Sequence, residues 1–85
     1  MAKLQKLTTL DLSYTQITDA GLKEVTMLGK LEELYLYRTQ ITNEGLKDLS
    51  KLKKLKFIIL SGTEITKSGA AELKKALPNC RIDGP

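Results

Sequence analysis

The sequence contains no histidine, no tryptophan and only one cysteine, Cys80. Without histidine, the chain cannot form the Ser-His or Cys-His pairs of nucleophilic catalysis, nor a histidine metal site. A single cysteine allows no disulfide within the chain and no zinc site built from several thiolates. The glycine-rich phosphate-binding motifs are absent as well. These absences predict a protein that is not an enzyme, with no catalytic residue, no metal and no cofactor.

Long apolar runs are also missing. No stretch approaches the roughly 18 apolar residues that suggest a membrane-spanning helix. The first residues, Met-Ala-Lys-Leu-Gln-Lys, lack the apolar region of a signal peptide. We therefore expect a cytoplasmic protein that has no contact with a membrane.

Acidic residues are outnumbered, with 14 basic against 10 acidic side chains and a net charge of +4. Most of the excess lies in one stretch with a single acid, Asp48, and five lysines: Lys47, Lys51, Lys53, Lys54 and Lys56. Such a stretch can bind nucleic acid, or it can form the solvated outer face of a helix and the following turn. No aromatic residue is interleaved with these lysines for base stacking, so the solvated face is favoured.

The abundant residues recur with a period of 24. When residues 7–30 are aligned with 31–54, identical pairs occur at Leu7/Leu31, Leu10/Leu34, Leu12/Leu36, Thr15/Thr39, Gln16/Gln40, Ile17/Ile41, Thr18/Thr42, Gly21/Gly45, Leu22/Leu46, Lys23/Lys47, Leu28/Leu52 and Lys30/Lys54. A third copy retains Leu55, Ile58, Leu60, Thr63, Ile65, Thr66, Gly69 and Leu73. This self-similarity predicts a repeat architecture in which each unit packs against its neighbours.

Each unit reads as a strand, a turn and a helix. In L-x-x-L-x-L the last two apolar residues lie two apart, as Leu34 and Leu36 do, and point to one face of a strand. Apolar residues spaced by three, such as Leu46, Leu49 and Leu52, form the buried stripe of a short helix. The residues expected to cap the helices are Thr18, Thr42 and Thr66.

The pattern L-x-x-L-x-L-x-x-T-x-I-T-x-x-G-L-x-x-L-x-x-L resembles the leucine-rich-repeat family, from about Leu4 to Ile82. It is most similar to a short bacterial type that carries threonine where most families carry asparagine, at Thr15, Thr39 and Thr63. The resemblance implies an α/β fold, a right-handed solenoid with about four parallel strands on the concave side and three α-helices on the convex side. It also implies that the three threonines satisfy backbone groups of the turns, with less reach than asparagine.

The length predicts one domain, 1–85. Its expected parts are a partial unit at 1–6, repeats at 7–30, 31–54 and 55–76, and a closing strand at 77–82, with a third helix about two residues shorter than the others. In the closing strand, Cys80 and Ile82 take the inward positions. Cys80 is therefore interpreted as a buried apolar residue and not as a reactive thiol.

The outward strand positions should form a grid on the concave face: Thr9, Asp11 and Ser13, then Glu33, Tyr35 and Tyr37, then Phe57, Ile59 and Ser61. An apolar cluster on such a solvated face is often functional. The predicted partner-binding residues are Tyr35, Tyr37, Phe57 and Ile59, framed by Asp11, Glu33 and Arg38. The alternative is that these aromatic and β-branched residues merely suit strands.

The leading functional hypothesis is a non-catalytic protein–protein interaction module that binds a protein partner through the concave sheet face. Resemblance to a family whose repeats commonly bind proteins supports it by analogy only. The alternative is a structural protein that forms homo-oligomers through its uncapped N-terminal edge strand, near residues 9–13. Nucleic acid, bound by the lysines of 47–56, is the least favoured partner.

Overall fold

The computed structural model describes residues 6–84. The partial unit expected at 1–6 therefore lies, except for Lys6, outside the described residues. Within them the elements follow in the order β1 (Thr9–Asp11), α1 (Asp19–Val25), β2 (Glu33–Tyr35), a 3₁₀ turn (Asn43–Gly45) continuing into α2 (Leu46–Leu49), β3 (Phe57–Ile59), α3 (Lys67–Ala76) and β4 (Arg81–Asp83). Strands alternate with helices, as the repeat predicts.

The four strands of residues 6–84 form one parallel sheet in the order β1-β2-β3-β4. Neighbouring strands pair in a register of 24 residues, so that Leu10, Leu34, Ile58 and Ile82 lie in one row. This row packs with the helices, and the opposite face of the sheet is here called the concave face. The predicted fold class, an α/β repeat solenoid with a parallel sheet, is confirmed.

The core is continuous from one repeat to the next. Leu34, Leu36, Ile58 and Leu60 are fully buried between the sheet and the helices. The equivalent leucines of the first repeat, Leu10 and Leu12, are only partly buried. Cys80 is buried in the same core, as predicted, and burial raises the pKa of its thiol.

The turn threonines bond within their own repeats. Thr15, Thr39 and Thr63 each donate their hydroxyl to the carbonyl of the residue three positions earlier, at 2.6, 2.9 and 2.6 Å respectively. Thr39 is the one polar residue buried in the part of the chain that the structure describes. These hydroxyls satisfy turn carbonyls, as the pattern implied, but they do not link one repeat to the next.

A second set of side chains provides that link. The Asp19 carboxylate accepts from the backbone N–H of Thr42 at 2.9 Å and from the Thr42 hydroxyl. One repeat later, Asn43 accepts from the backbone N–H of Thr66 at 3.1 Å and donates to its hydroxyl at 3.0 Å. A Cβ on Gly45 would lie 2.6 Å from the Asp19 carboxylate, so glycine makes room for this link.

The threonines at the helix starts are not equivalent. Thr42 accepts from the N–H of Glu44 at 3.2 Å, and Thr66 accepts from the N–H of Gly69 at 3.1 Å. Thr18 makes no such bond. Thr18 occupies the predicted N-cap position of α1, but the expected cap hydrogen bond to a side-chain hydroxyl forms only at Thr42 and Thr66.

The prediction of a shorter third helix is wrong, since α3 has 10 residues against 7 in α1 and 4 in α2. The hydroxyls of Thr26 and Ser50 donate to carbonyls three residues earlier and accompany the ends of α1 and α2. The equivalent residue in the third repeat is Lys74, and strong helix formers surround it. The third helix therefore continues to Ala76.

The closing strand also begins later than expected. The sequence predicts it within 77–82, whereas the strand runs from Arg81 to Asp83 and Ile82 pairs with Ile58, in the same register of 24 as the other strands. The third helix is not shortened, so the third repeat keeps the full 24 residues. Cys80 and Ile82 still point to the core because they remain two residues apart.

Candidate functional site

The concave face is built from the side chains that alternate with the core row. Because Thr9, Glu33, Phe57 and Arg81 are in register, they form one row across the sheet. A second row contains Asp11, Tyr35, Ile59 and Asp83. Tyr35 therefore lies beside Ile59, as the spacing of the repeats indicated.

Tyr35 is held in place by contacts on two sides. Its hydroxyl donates to the Glu33 carboxylate at 2.6 Å, and its ring meets the Phe57 ring edge-on with centroids 5.9 Å apart. The hydrogen bond to Glu33 raises the pKa of the Tyr35 phenol. The guanidinium of Arg81 lies over the other aromatic ring of the pair, 5.8 Å from the Phe57 centroid. This cluster spans β2, β3 and β4.

A second aromatic cluster lies at the carboxyl ends of the first two strands. The Tyr14 and Tyr37 rings meet edge-on at 5.3 Å, and the Arg38 guanidinium lies 5.6 Å from the Tyr37 centroid. Ser13 accepts from the backbone N–H of Tyr37 at 3.2 Å and joins the neighbouring repeats here. Tyr14, with 70% of its surface exposed, is the most exposed aromatic residue on this face.

Tyr14 and Arg38 have positive φ angles of 62° and 55°. The equivalent residue of the third repeat is Gly62, with φ of 77°. A side chain in this left-handed region costs about 1 kcal/mol relative to glycine. Strain of this kind is often retained at binding sites, so both residues are candidates for the site.

The predicted site residues fall into two groups. Tyr35, Tyr37, Phe57, Ile59 and Glu33 are half-buried on the concave face, and Asp11 is exposed at its edge. Arg38 is exposed at the strand end, where its guanidinium lies over the Tyr37 ring and its Nε donates to the Tyr37 hydroxyl at 3.4 Å.

Three further residues were missed by the sequence interpretation. Arg81 and Asp83 extend the two rows onto β4, and Tyr14 packs on Tyr37. A closing strand was predicted, and the alternation Arg81-Ile82-Asp83 carried the signal that two of its side chains point outward. It was missed because the L-x-x-L-x-L frame ends at Ile82.

Between the two clusters the face is hollowed into a shallow concavity of about 470 Å³. Its walls include Tyr14, Tyr35, Tyr37 and Ile59, with Asp11 at one end and Asp83 at the other. The Asp11 carboxylate accepts from the backbone N–H of Ser13 at 2.9 Å, and this bond lowers its pKa. Asp11 therefore carries a full negative charge at neutral pH.

The lysine-rich stretch lies elsewhere. Lys47, Lys51, Lys53, Lys54 and Lys56 are exposed on α2 and the turn before β3. Lys51 lies 3.6 Å from Asp48, and Lys56 lies 3.7 Å from Glu32. Exposed pairs of this kind contribute little to stability. The arrangement agrees with a solvated outer surface.

Among residues 6–84, none of the helices has both the length and the apolar character needed to cross a bilayer.

Several solved structures share this fold. A structure of Chaetomium Mex67:Mtr2 subunits superposes with a TM-score of 0.76 at 20% identity, over 95% of this chain and 55% of that one. Internalin InlF of Listeria monocytogenes gives 0.73 at 24% identity, over 100% and 24% of the two chains. A leucine-rich-repeat protein of Leptospira interrogans gives 0.67 at 26% identity, over 98% and 26%. The chain thus spans 55% or less of the length of each.

No curated protein sequence matches the chain. The family model of Zer-1-like leucine-rich repeats, however, matches residues 1–79. This match covers most of the sequence, and the stacked strand-turn-helix units agree with it. The chain therefore belongs to the leucine-rich-repeat family, within its Zer-1-like group.

Proposed function

We propose that the chain is a non-catalytic interaction module that binds a protein partner through its concave face. The observation that carries this proposal is the arrangement of Tyr35, Ile59 and Phe57 in adjoining register positions on the sheet face that the helices leave open. Aromatic side chains that are half-buried in the free protein have little left to lose in conformational freedom when a partner covers them. Tyrosine and arginine are also the residue types enriched at binding hot spots.

Membership of the leucine-rich-repeat family supports the same reading, because its domains are generally interaction modules. The predicted set of partner-binding residues, Tyr35, Tyr37, Phe57, Ile59, Arg38, Asp11 and Glu33, is retained in the proposal. Tyr14, Arg81 and Asp83 are added to it on the contacts described above.

The test compares proteins retained from the native host by the wild-type chain and by a Tyr35→Thr/Ile59→Thr variant. Threonine keeps the β-branched character that suits a strand while it removes most of the apolar contact surface. We expect one or more proteins to be retained by the wild type and lost from the variant. Met27→Thr is the matched control, since Met27 is an exposed apolar side chain, 64% accessible, in the connection after α1.

Equal retention by all three chains would contradict the proposal. Light scattering on the same samples separates it from self-association through the outer edge of β1. A monomer at high concentration excludes the oligomeric alternative. A dimer that persists in the Tyr35→Thr/Ile59→Thr variant would favour that alternative.

A further inference from the structure

The charge of the concavity on the concave face is opposite to the charge of the chain. The whole sequence carries +4. The concavity has a carboxylate at each end, Asp11 on β1 and Asp83 on β4, and no basic side chain among the residues that line it. The lysines of 47–56 lie outside it. The charged residues that line the concavity are therefore acidic only, while the guanidinium groups of Arg38 and Arg81 lie outside this lining.

Apart from Ser13 and Ser61, the walls between the two carboxylates are aromatic and apolar. Tyr35 and Ile59 form the floor between Asp11 and Asp83, in the same row of the sheet. The rings of Tyr14 and Tyr37 stand at one side. Aromatic faces attract cations, and a nearby carboxylate adds to that attraction.

The molecule already contains two contacts in which a cation lies over an aromatic ring. The guanidinium of Arg38 lies 5.6 Å from the Tyr37 centroid, and that of Arg81 lies 5.8 Å from the Phe57 centroid. In the described part of the chain, the rings of Tyr14 and Tyr35 have no cation of their own over them. Aromatic rings on this face thus bind guanidinium groups, and the rings of Tyr14 and Tyr35 remain available for such a contact.

We propose that the partner presents an extended segment with two basic side chains, which pair with Asp11 and Asp83 while the apolar residue between them packs on Tyr35 and Ile59. This inference rests on the proposed function and specifies the chemistry of the partner at the same site. The proposal also orients the segment, which lies across the strands between β1 and β4.

The spacing of the two basic residues follows from the sheet. Asp11 and Asp83 are separated by three strand intervals, which is roughly 14 Å at about 4.8 Å per interval. An extended chain advances about 3.4 Å per residue, so the two basic residues should lie about four residues apart. The central residue of such a segment then falls over Tyr35 and Ile59.

The charges argue against an acidic occupant. A nucleic-acid strand or an acidic peptide would bring its negative charges against Asp11 and Asp83. Asp11 stays ionised at neutral pH, because the bond from Ser13 lowers its pKa. A like charge placed there weakens binding and slows association.

The test uses three short peptides of equal length and follows the amide resonances of the isotope-labelled protein. The first, acetyl-Arg-Ser-Leu-Ser-Arg-amide, has the inferred spacing. The second, acetyl-Ser-Arg-Leu-Arg-Ser-amide, has the same composition with the charges too close to span both carboxylates. The third, acetyl-Glu-Ser-Leu-Ser-Glu-amide, reverses the charge. We expect saturable shifts at Asp11, Tyr35, Ile59 and Asp83 with the first peptide, weaker binding of the second and none of the third.

Two sets of variants test the role of the carboxylates. Asp11→Asn and Asp83→Asn remove one charge each, and the side-chain amide oxygen introduced by Asp11→Asn can still accept from the backbone N–H of Ser13. We expect each change to weaken the first peptide about threefold, and the pair about tenfold. Glu24→Gln/Glu72→Gln is the control, because it removes two exposed carboxylates from α1 and α3 and so alters the net charge equally. Its affinity should stay within about twofold of the wild type.

The possible outcomes separate the two proposals. No saturable shift with the first peptide, equal weakening by the control pair, or tighter binding of the acidic peptide would overturn the inference of a basic segment. If a partner protein is nevertheless lost from Tyr35→Thr/Ile59→Thr but kept by Asp11→Asn/Asp83→Asn, the proposed function stands and only this inference fails. If neither variant pair affects partner or peptide, both fail.

Discussion

Leu34 and Tyr35 are neighbours in β2, yet they belong to opposite faces of the molecule. Leu34 is fully buried and lies in a row with Leu10, Ile58 and Ile82, all aliphatic. Tyr35 lies in a row with Asp11, Ile59 and Asp83, which share no chemical character. The core row repeats because each unit must pack on the next. The concave row is free of that requirement, and its residues differ from repeat to repeat.

The largest expected effect is a loss of stability in the core row, where equivalent leucines of two repeats differ in burial. Leu34→Ala should lower the free energy of unfolding by about 3–4 kcal/mol, because it leaves a cavity in a fully buried site. Leu10→Ala should cost about 1–2 kcal/mol, since the equivalent leucine of the first repeat is only partly buried. Urea unfolding measures both. Equal losses would mean that burial does not distinguish the two repeats.

A second test addresses the links between repeats. Gly45→Ala places a methyl group against the Asp19 carboxylate that holds Thr42, and we expect a loss of about 1–2 kcal/mol. In Gly21→Ala the Cβ would meet the Ile17 side chain, 2.8 Å away, and Ile17 is only partly buried and able to shift. The gain in helix propensity, about 0.5–1 kcal/mol, should then offset most of the cost. Thermal unfolding of the two variants compares their losses of stability. A loss in Gly21→Ala as large as that in Gly45→Ala would show that disruption of the Asp19–Thr42 link does not cause the loss in Gly45→Ala.

The smallest expected effect concerns pH on the concave face. The bond to Glu33 raises the pKa of the Tyr35 phenol in the folded chain. The contribution of this bond to the free energy of unfolding is complete below the ordinary tyrosine pKa of about 10. It is lost as the pH rises through the higher pKa of the folded chain. Carbon NMR of the tyrosine rings should show a lower Tyr35 pKa in Glu33→Gln than in the wild type. An unchanged value would mean that the hydrogen bond does not form in solution.

Much of the fold could be predicted from the sequence because a period of 24 determines both the inward rows and the register of the sheet. The concave neighbours Tyr35 and Ile59 follow from the same register. The link from Asp19 to Thr42 could not be predicted in this way, because it joins two different positions of the repeat, 23 residues apart. The true extent of α3 depended on Lys74 replacing the hydroxyl residues that accompany the ends of α1 and α2.

Within the candidate site, the limits of prediction have a similar origin. Arg81 and Asp83 were missed because the L-x-x-L-x-L match at 77–82 is shifted by two residues from the register of 24 that β4 keeps with β3. The stacking of Arg38 on Tyr37 depends on a left-handed backbone conformation that arginine rarely adopts, and the sequence signals it only through Gly62 at the equivalent position of the third repeat. Regular positions therefore predict the scaffold, whereas the irregular ones need the structure.

The central claim is that Tyr35 and Ile59 serve binding more than folding. It is tested most directly by measuring urea unfolding and partner affinity on the same sample of Tyr35→Thr/Ile59→Thr. We expect the free energy of unfolding to fall by no more than about 1 kcal/mol per site, and the affinity to fall at least about thirtyfold, as for the loss of a hot spot. A variant that binds its partner as tightly as the wild type, or that is destabilised as much as Leu34→Ala, would contradict the account.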